Sequence, residues 1–346
     1  MSGQPDSSFR IGGLAGSFLG QVKSVVVEAA QVSLDLFKIM IPILIGVKIL
    51  QEAGLISYLA MPLEPVMRLM GLPGETGLVW ATAMLNNIYG GIIVFLSLAD
   101  SLHLSVAQVT VLSTVILLAH ALPIEVRIAQ ESGNRFIFQC LFRIAGGLVL
   151  GAVLNLVYTW TGWLQEANVI FWQGEVVSDP SLAMWAVGQI KNLALIFCII
   201  LGLIALIRIL YFLKVTDLII WLLRPLLRLL GIGTEAATLT IIGMTMGLTY
   251  GGGLIIKESK SGRIHPQDVF ASVSLMGLSH GLIEDTLLMV MLGGHLSGLL
   301  WARLIFSLVA VALLVRAIPL LSRRFIHRFF YALPARHSPS AVQASQ

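Results

Sequence analysis

Charged side chains are scarce in this sequence. Asp, Glu, Lys and Arg make up 12% of the 346 residues, whereas soluble domains carry roughly 25%. Hydrophobic residues make up 57%, and the mean hydropathy is +0.90. Several apolar runs exceed the ~20 residues that a helix needs to cross a ~30 Å hydrocarbon core. The composition therefore excludes an ordinary soluble domain and predicts an all-α polytopic membrane protein.

The sequence also lacks the motifs of common enzymes. There is no phosphate-binding P-loop, no nucleophile elbow and no His-Glu-x-x-His, so we expect neither an enzyme nor a cofactor. The two cysteines, Cys140 and Cys198, lie in separate apolar runs, where we interpret them as packing residues rather than a disulfide or metal pair. The net charge of +4 comes from Lys and Arg in loops, which is typical of membrane proteins rather than of nucleic-acid partners.

Titratable residues interrupt two of the apolar runs. One run holds His280, Glu284 and Asp285, and an earlier run holds His120 and Glu125. A charge at the bilayer centre costs roughly 2.5–3.5 kcal/mol on insertion scales, so such residues normally face a protein interior or a wet cavity. Because His280 and Glu284 are four residues apart, a regular helix would present both on one face. The pattern predicts a site for a coupling ion, such as a proton or sodium.

A structural interpretation of these residues stays open. The same groups could form a polar clamp, hydrogen-bonding to one another or to Arg127, Arg143 and Arg303. Pro123 lies between His120 and Glu125 and is expected to kink or break the helix there.

An internal repeat is the strongest signal in the sequence. Pro65-x-x-Arg68-Leu69-x-Gly71-x-x-x-Glu75 returns as Pro225-x-x-Arg228-Leu229-x-Gly231-x-x-x-Glu235. His120 and His280 share the same offset, 280 − 120 = 160 residues. Chance similarity between apolar runs would not align Pro, Arg, Glu and His together, so the pattern indicates a duplication.

Each half is predicted to contain about three crossing helices, an amphipathic interfacial helix and a broken re-entrant hairpin. The predicted crossing helices are Glu28–Glu52, Ser105–Arg127, Phe136–Trp160, Met184–Leu213, Asp268–Leu292 and Gly298–Leu320. The amphipathic pieces are Pro62–Met70 and Thr216–Leu230, and the broken segments are Glu75–Ala99 and Glu235–Ile256. Three crossings in each half would invert one half relative to the other. Inverted repeats with interrupted helices are typical of secondary transporters, which bind at the midplane.

The charge pattern predicts how the chain is divided and oriented. Residues 161–185 lack Lys and Arg and are expected outside, whereas basic residues after 322 are expected inside. Both termini are then cytosolic in a multi-pass cell membrane of the bacterial inner-membrane type. The predicted segments are a cytosolic 1–30, a first membrane repeat 31–160, an extracytoplasmic connector 161–185, a second repeat 186–321 and a disordered tail 322–346.

The hairpin breaks are the predicted solute site. Glycines allow the chain to turn, and non-helical backbone at membrane depth survives only inside protein or beside a cavity. Its freed N–H and C=O groups could hydrogen-bond a polar solute, although close helix packing through small residues is the alternative. The predicted solute-binding residues are Asn86, Asn87, Tyr89, Gly90, Gly91, Thr249, Tyr250, Gly251 and Gly252.

The two repeats resemble a known family. The Pro-x-x-Arg-Leu-x-Gly-x-x-x-Glu element, the Asn/Tyr-Gly-Gly breaks and the later His and acidic residues are similar to the nucleoside-recognition, or Gate, domain family, over residues 31–320. The family also includes spore maturation proteins A and B and is similar in layout to concentrative nucleoside transporters. The resemblance implies a solute permease whose hairpin tips, Asn86 to Gly91 and Tyr250 to Gly253, lie at the site. Iron transport, known for one branch, does not suit a chain without a GTPase domain or cysteines at these positions.

The function expected from the sequence is ion-coupled transport of a small polar solute, with a nucleoside-like solute as one candidate. His120, Glu125, His280, Glu284 and Asp285 would carry the coupling. The alternatives are a divalent metal-ion permease and a non-transporting membrane partner of the spore-maturation type. The expected partners are the solute and the lipid bilayer, without nucleic acid, and a homo-oligomer stays open.

Overall fold

The computed structural model of the protein describes residues 18–170 and 181–332. Within these ranges the secondary structure is helical, and the β-type contacts are two isolated bridges, Ser105 with Ala167 and Asn134 with Tyr331. The predicted all-α class is therefore confirmed. The predicted terminal segments and the connector lie partly outside the described residues.

The helices of the first half follow the predicted order. They are α1 (Phe18–Glu52), α2 (Ile56–Ala60), α3 (Glu64–Leu69), α4 (Thr76–Leu85), α5 (Ile88–Leu102), α6 (Val106–Leu118), α7 (Leu122–Glu131) and α8 (Phe136–Thr161). Ser105 and Gln108 form a capping box at the start of α6, which fixes where that helix begins.

The helices of the second half repeat this order. They are α9 (Leu182–Phe212), α10 (Val215–Leu229), α11 (Thr234–Met246), α12 (Leu248–Ser261), α13 (Pro266–Ser279), α14 (Glu284–Met291), a π-helical turn (Ser297–Ala302), α15 (Arg303–Ala317) and α16 (Arg323–Phe329). The helices α5 and α12 begin at residues 88 and 248, and α6 and α13 begin at 106 and 266. Both pairs of helix starts therefore keep the offset of 160 residues that the sequence motifs show.

Within residues 18–170 and 181–332, five segments are long and apolar enough to cross a membrane. They are Val106–Glu131, Phe136–Thr161, Leu182–Leu210, Pro266–Met291 and Ser297–Leu320. The shorter apolar helices Thr76–Leu85 and Ile88–Ala99 correspond to the first predicted hairpin. Helix α1, where the sequence predicts a sixth crossing, is not among the five in the described part of the chain.

The chain divides into two compact units. The first consists of Met1–Ile39 with Gly174–Leu213, and the second consists of Met40–Gln173 with Lys214–Gln346. In the first unit, Arg208 of α9 forms an ion pair with Glu28 of α1. Every predicted site residue belongs to the second unit.

Two of the predicted crossing helices are broken rather than continuous. The first breaks between Leu118 and Leu122, and the second breaks between Ser279 and Glu284. The prediction that His280 and Glu284 share one face of a regular helix is therefore wrong, because helix α13 ends before the first residue and α14 begins at the second. Pro123 lies in the first turn of α7, where its missing N–H costs nothing, which agrees with the predicted break.

The hairpin breaks also differ from the predicted positions. In the first hairpin the helices are separated by Asn86 and Asn87 only, so Tyr89 to Gly91 lie in the first turn of α5. In the second hairpin the break is Gly247, with φ +89°, a conformation that glycine adopts readily. The predicted interruption at Tyr250 to Gly253 is therefore wrong, since these residues continue α12.

Part of the predicted disordered tail is folded. Helix α16 follows a Ser322 cap, and the Tyr331 ring packs on the Phe270 ring with centroids 5.0 Å apart. The backbone N–H of Arg135 donates to the Phe330 carbonyl at 2.8 Å. Aromatic packing at the start of α13 holds this segment in place, which the sequence did not indicate. Residues 333–346 lie outside the described part.

Candidate functional site

Two histidines meet where the two crossing helices break. Nε2 of His120 and Nε2 of His280 are 3.2 Å apart, and their rings are 5% and 4% exposed. Each Nδ1 atom lies 2.9 Å from a backbone carbonyl one turn earlier, that of Ile116 or Met276. The two halves therefore place the same side chain in the same local geometry, and the pair joins one half to the other.

The unwound backbone beside each histidine is hydrogen-bonded. Ala121 and Gly281, at equivalent positions, both adopt left-handed conformations, with φ +47° and +57°. The Ala121 N–H donates to the Ala83 carbonyl at 2.9 Å, and the Leu282 N–H donates to the Met244 carbonyl at 3.0 Å. The acceptors belong to α4 and α11, the first helices of the two hairpins. Each hairpin therefore satisfies the backbone of the break in its own half.

Glu125 connects the histidine pair to a buried arginine. Its Oε1 atom lies 3.1 Å from Nε2 of His280 and 3.5 Å from Nε2 of His120. Its Oε2 atom accepts from Nη1 of Arg143 at 2.5 Å. Arg143 of α8 is 2% exposed and also donates to the Leu118 carbonyl at the end of α6 and to the His120 carbonyl inside the break. This arginine neutralises an acid of the preceding helix and does not reach the lipid surface.

The equivalent groups of the second half are arranged differently. Arg303 is fully buried and donates to the Leu278 and His280 carbonyls, as Arg143 does in the first half. Its Nη1 atom has no hydrogen-bond partner among the described residues. Asp285 occupies the position equivalent to Glu125, 285 − 125 = 160 residues later. Its carboxylate lies over Gly281, where a Cβ atom would be 2.1 Å from Oδ2.

Glu284 is separate from the buried cluster. It is an exposed residue at the start of α14. Its carboxyl group lies near the hydroxyl of Tyr89, in the first turn of α5. The predicted solute residue Tyr89 and the predicted coupling residue Glu284 therefore come together, although not on the face that the sequence suggested.

The remaining residues of the first hairpin have structural roles. The Asn87 side chain accepts from the Gly90 N–H at 2.9 Å and caps α5. A Cβ atom at Gly91 would lie 2.7 Å from the Ala83 Cβ, so this glycine allows α4 and α5 to pack closely. Asn86 ends α4, and its amide nitrogen lies 3.1 Å from where a Gly90 Cβ would be.

The second hairpin packs against the opposite half. A Cβ atom at Gly252 would lie 2.3 Å from Cγ2 of Ile128 on α7, so α12 approaches the broken helix of the first half closely. The side chains of Thr249 and Tyr250, and the surroundings of Gly251, lie outside the described residues.

A cavity of about 540 Å³ lies away from the histidine pair, between the ends of α6 and α8. Its walls are mainly polar and carry amide, hydroxyl and imidazole groups. Apart from Gly71, which belongs to the repeat motif, these residues carry no recognisable sequence signal, because they are spread over more than 90 positions. The lining residues are Gly71, His103, Ser105, Ala107, Gln108, Val111, Asn155, Tyr158, Thr159, Gln165 and Ala167.

Comparison with known proteins identifies the first half. Residues 33–135 match the family described as Gate, nucleoside recognition. The chain is also similar to the uncharacterized membrane protein YvoD of Bacillus subtilis (strain 168), with 29% identity over 295 residues, which is 83% of this chain and 90% of that protein. No solved structure matches the chain. The resemblance predicted from the sequence is thus confirmed over residues 33–135, and the chain is a membrane protein that is similar there to the Gate, nucleoside-recognition family.

Proposed function

We propose that the protein is a secondary active transporter that moves a small polar solute by alternating access, coupled to an ion gradient. The contact between His120 and His280 at 3.2 Å carries this proposal. It brings two broken membrane helices, one from each repeat, to a single buried cluster of titratable groups. Discontinuous helices that meet between repeats are where secondary transporters bind substrates and coupling ions.

The energetics of burial support a functional cluster. His120, Glu125 and Arg143 are all less than 9% exposed, although they belong to crossing helices. Isolated charges at this depth are expensive, and a purely structural contact between helices is made more cheaply by small or apolar side chains. A charged cluster at the junction of two repeats therefore supports transport over a scaffold role.

The proposed solute is a neutral polar molecule. The Gate description indicates nucleoside recognition, and we propose a nucleoside-like or other neutral polar solute. The polar cavity contains Asn155, Gln108 and Gln165, amides that both donate and accept hydrogen bonds. Tyr89 beside Glu284 links the first hairpin to the second broken helix, which supports a solute path along the hairpin tips.

We further propose that both termini are cytosolic in a bacterial inner membrane. Lys257 and Lys260 lie in the last turns of α12 and Arg263 follows that helix, while Arg323, Arg324 and Arg328 follow the last crossing helix. Basic loops of this kind remain in the cytosol. In this topology α1 is the sixth crossing helix, so the number of crossings is even. The two repeats are inverted relative to each other.

Uptake by proteoliposomes tests the transport proposal. Purified protein is reconstituted, a pH or sodium gradient is imposed, and uptake of radiolabelled nucleosides and other polar solutes is measured. We expect gradient-dependent uptake that Glu125→Gln and Glu284→Gln abolish or uncouple. Glu131→Gln is the matched control, because Glu131 lies on the same helix as Glu125 but is exposed and pairs only with Arg127.

Two results would overturn the proposal. Uptake that ignores both gradients, and is unchanged in both variants, would remove the coupling. The absence of any uptake by folded protein, together with a stable complex with another membrane protein, would favour the non-transporting role.

A further inference from the structure

Three side-chain atoms at the junction of the repeats form a small triangle. Nε2 of His120, Nε2 of His280 and Oε1 of Glu125 are separated by 3.2, 3.1 and 3.5 Å. Tetrahedral zinc has bonds of about 2.0–2.1 Å to nitrogen and oxygen, so its ligand atoms lie about 3.3 Å apart. The triangle therefore has the size of one face of a zinc coordination tetrahedron without any movement of these side chains.

The protonation pattern of the rings points to a cation between them. A backbone carbonyl can only accept a hydrogen bond, so the Nδ1 atoms that contact the Ile116 and Met276 carbonyls carry the hydrogens. In the neutral rings, both Nε2 atoms then present lone pairs to each other and to a carboxylate. Three acceptors cannot hydrogen-bond to one another, and a shared cation resolves the conflict. Histidines that bind metals are held in the same way, by the second ring N–H on a carbonyl.

The surrounding residues complete a ligand set. Oε2 of Glu125 is held by Arg143, which leaves Oε1 free to coordinate. His120, His280 and Asp285 offer ligand atoms that lie within 4.8 Å of one another. To come within ligand distance of both histidines, the Asp285 carboxylate would thus have to approach them by at most about 1.5 Å. Two ligands would then come from each repeat.

The donor atoms select the class of cation, and the charges around them balance. The charged groups that face the pair are Arg143 and Arg303, which are positive, and Glu125 and Asp285, which are negative when ionised. With neutral histidines the formal sum is 2 − 2 = 0, from these four residues. The two imidazoles favour zinc and similar transition metals over magnesium or calcium, which prefer all-oxygen sites.

From this geometry we propose that the junction is a binding site for a divalent cation of the zinc class, held by His120, His280 and Glu125 with Asp285 as the fourth ligand. The inference rests on the same cluster as the proposed function and names the ion that the cluster takes. Such an ion would bind to both repeats at once, as a coupling ion or as the transported species.

Metal titration of the purified protein tests the site. The full chain in detergent is treated with a chelator, dialysed and titrated with Zn²⁺ by calorimetry, and the bound metal is counted by mass spectrometry. We expect one zinc ion per chain. His280→Asn should lower the affinity more than about 100-fold, since even residues outside the ligand shell contribute about 10–100-fold. This variant keeps a donor for the Met276 carbonyl but removes Nε2.

His327→Ala is the matched control and should bind zinc normally, because His327 is an exposed residue of α16 whose ring contacts Arg135 and is not at the junction. Cobalt substitution should give the intense visible bands of a tetrahedral site in the wild type. The absence of stoichiometric binding, or zinc affinity unchanged in both His280→Asn and His120→Asn, would overturn the inference and indicate a shared proton instead. If the variants are less stable than the wild type, melting temperatures with and without zinc provide a second measurement. Zinc binding at the site should raise the melting temperature of the wild type but not that of the variants.

The test separates this inference from the proposed function. Gradient-driven uptake by protein that binds no metal would reject the zinc site and retain the transporter. One bound zinc ion in protein that transports neither zinc nor any polar solute would retain the site and reject the transporter.

Discussion

The breaks at His120 and His280 share a scaffold but differ in how their charges are paired. In both, a buried arginine donates to one carbonyl in the last turn of the helix and to the carbonyl of the histidine in the break, and the histidine ring donates to a carbonyl one turn earlier. In the first break Arg143 is also paired with Glu125, whereas Arg303 has an unpartnered Nη1 atom. The two repeats therefore share the backbone geometry of the break but carry different acids, Glu125 and Asp285, at the equivalent position. The difference between the two halves lies at the candidate site.

The largest difference is expected when the two arginines are removed. Arg143→Met leaves the Glu125 carboxylate buried without its partner, which typically costs 3–5 kcal/mol. Arg303→Met leaves two carbonyls unpaired, and we expect a loss of about 1–3 kcal/mol. Unfolding in detergent by denaturant titration measures both. Equal losses would show that the Arg143 ion pair does not distinguish the two breaks.

Exchanging the residues at the left-handed positions tests the space beside each histidine. In Gly281→Ala the new Cβ would lie 2.1 Å from Asp285 Oδ2, so the carboxylate must move, and we expect a loss of about 1–3 kcal/mol and weaker cation binding. Ala121→Gly, at the equivalent position, should change stability by less than about 1 kcal/mol. Thermal unfolding with and without zinc compares the variants. A neutral Gly281→Ala would contradict the position of Asp285.

The two hairpins should respond differently to an added methyl group. Gly91→Ala places a Cβ 2.7 Å from Ala83 and should destabilise the protein by about 1–2 kcal/mol. No atom lies within 4 Å of the Cβ position of Gly253, a helical residue, so Gly253→Ala should be neutral or stabilising by up to about 1 kcal/mol. The melting temperatures of both variants, measured in the same detergent, give the comparison. A larger loss of stability in Gly253→Ala than in Gly91→Ala would contradict the packing described for the two hairpins.

The smallest expected effect concerns the turns of the hairpins. Asn87→Ala removes the cap of α5 and should cost about 1 kcal/mol, whereas Asn87→Gly should cost only a few tenths. Denaturant titration of the two variants separates a capping role from solute contact. Loss of uptake without loss of stability in Asn87→Ala would instead show that this side chain binds the solute.

Much of the fold follows from local sequence signals. The offset of 160 residues aligns His120 with His280, and the structure keeps that alignment in its helix boundaries. The convergence of His120, Glu125 and His280 could be predicted in outline, because titratable residues in apolar helices must face protein. The position of Glu284 could not be predicted from its spacing to His280, because the helix breaks between these two residues.

The details that decide the site have weaker signals. Ala121 adopts a left-handed conformation that is unusual for alanine, so only its equivalence to Gly281 could have suggested this conformation from the sequence. Gly247 rather than the glycine run breaks the second hairpin, because Gly247 adopts a positive φ of +89° whereas the run continues α12. The polar cavity depends on residues brought together by packing, which no spacing in the sequence shows.

A double-mutant cycle tests most directly whether the two halves meet at the histidines. The free energy of unfolding is measured for the wild type, His120→Ala, His280→Ala and the double variant. Residues in contact show interaction energies of about 0.5–3 kcal/mol, whereas separated sites are additive within about 0.3–0.5 kcal/mol. We predict an interaction energy above about 0.5 kcal/mol for this pair. Additive effects would mean that His120 and His280 do not share a site.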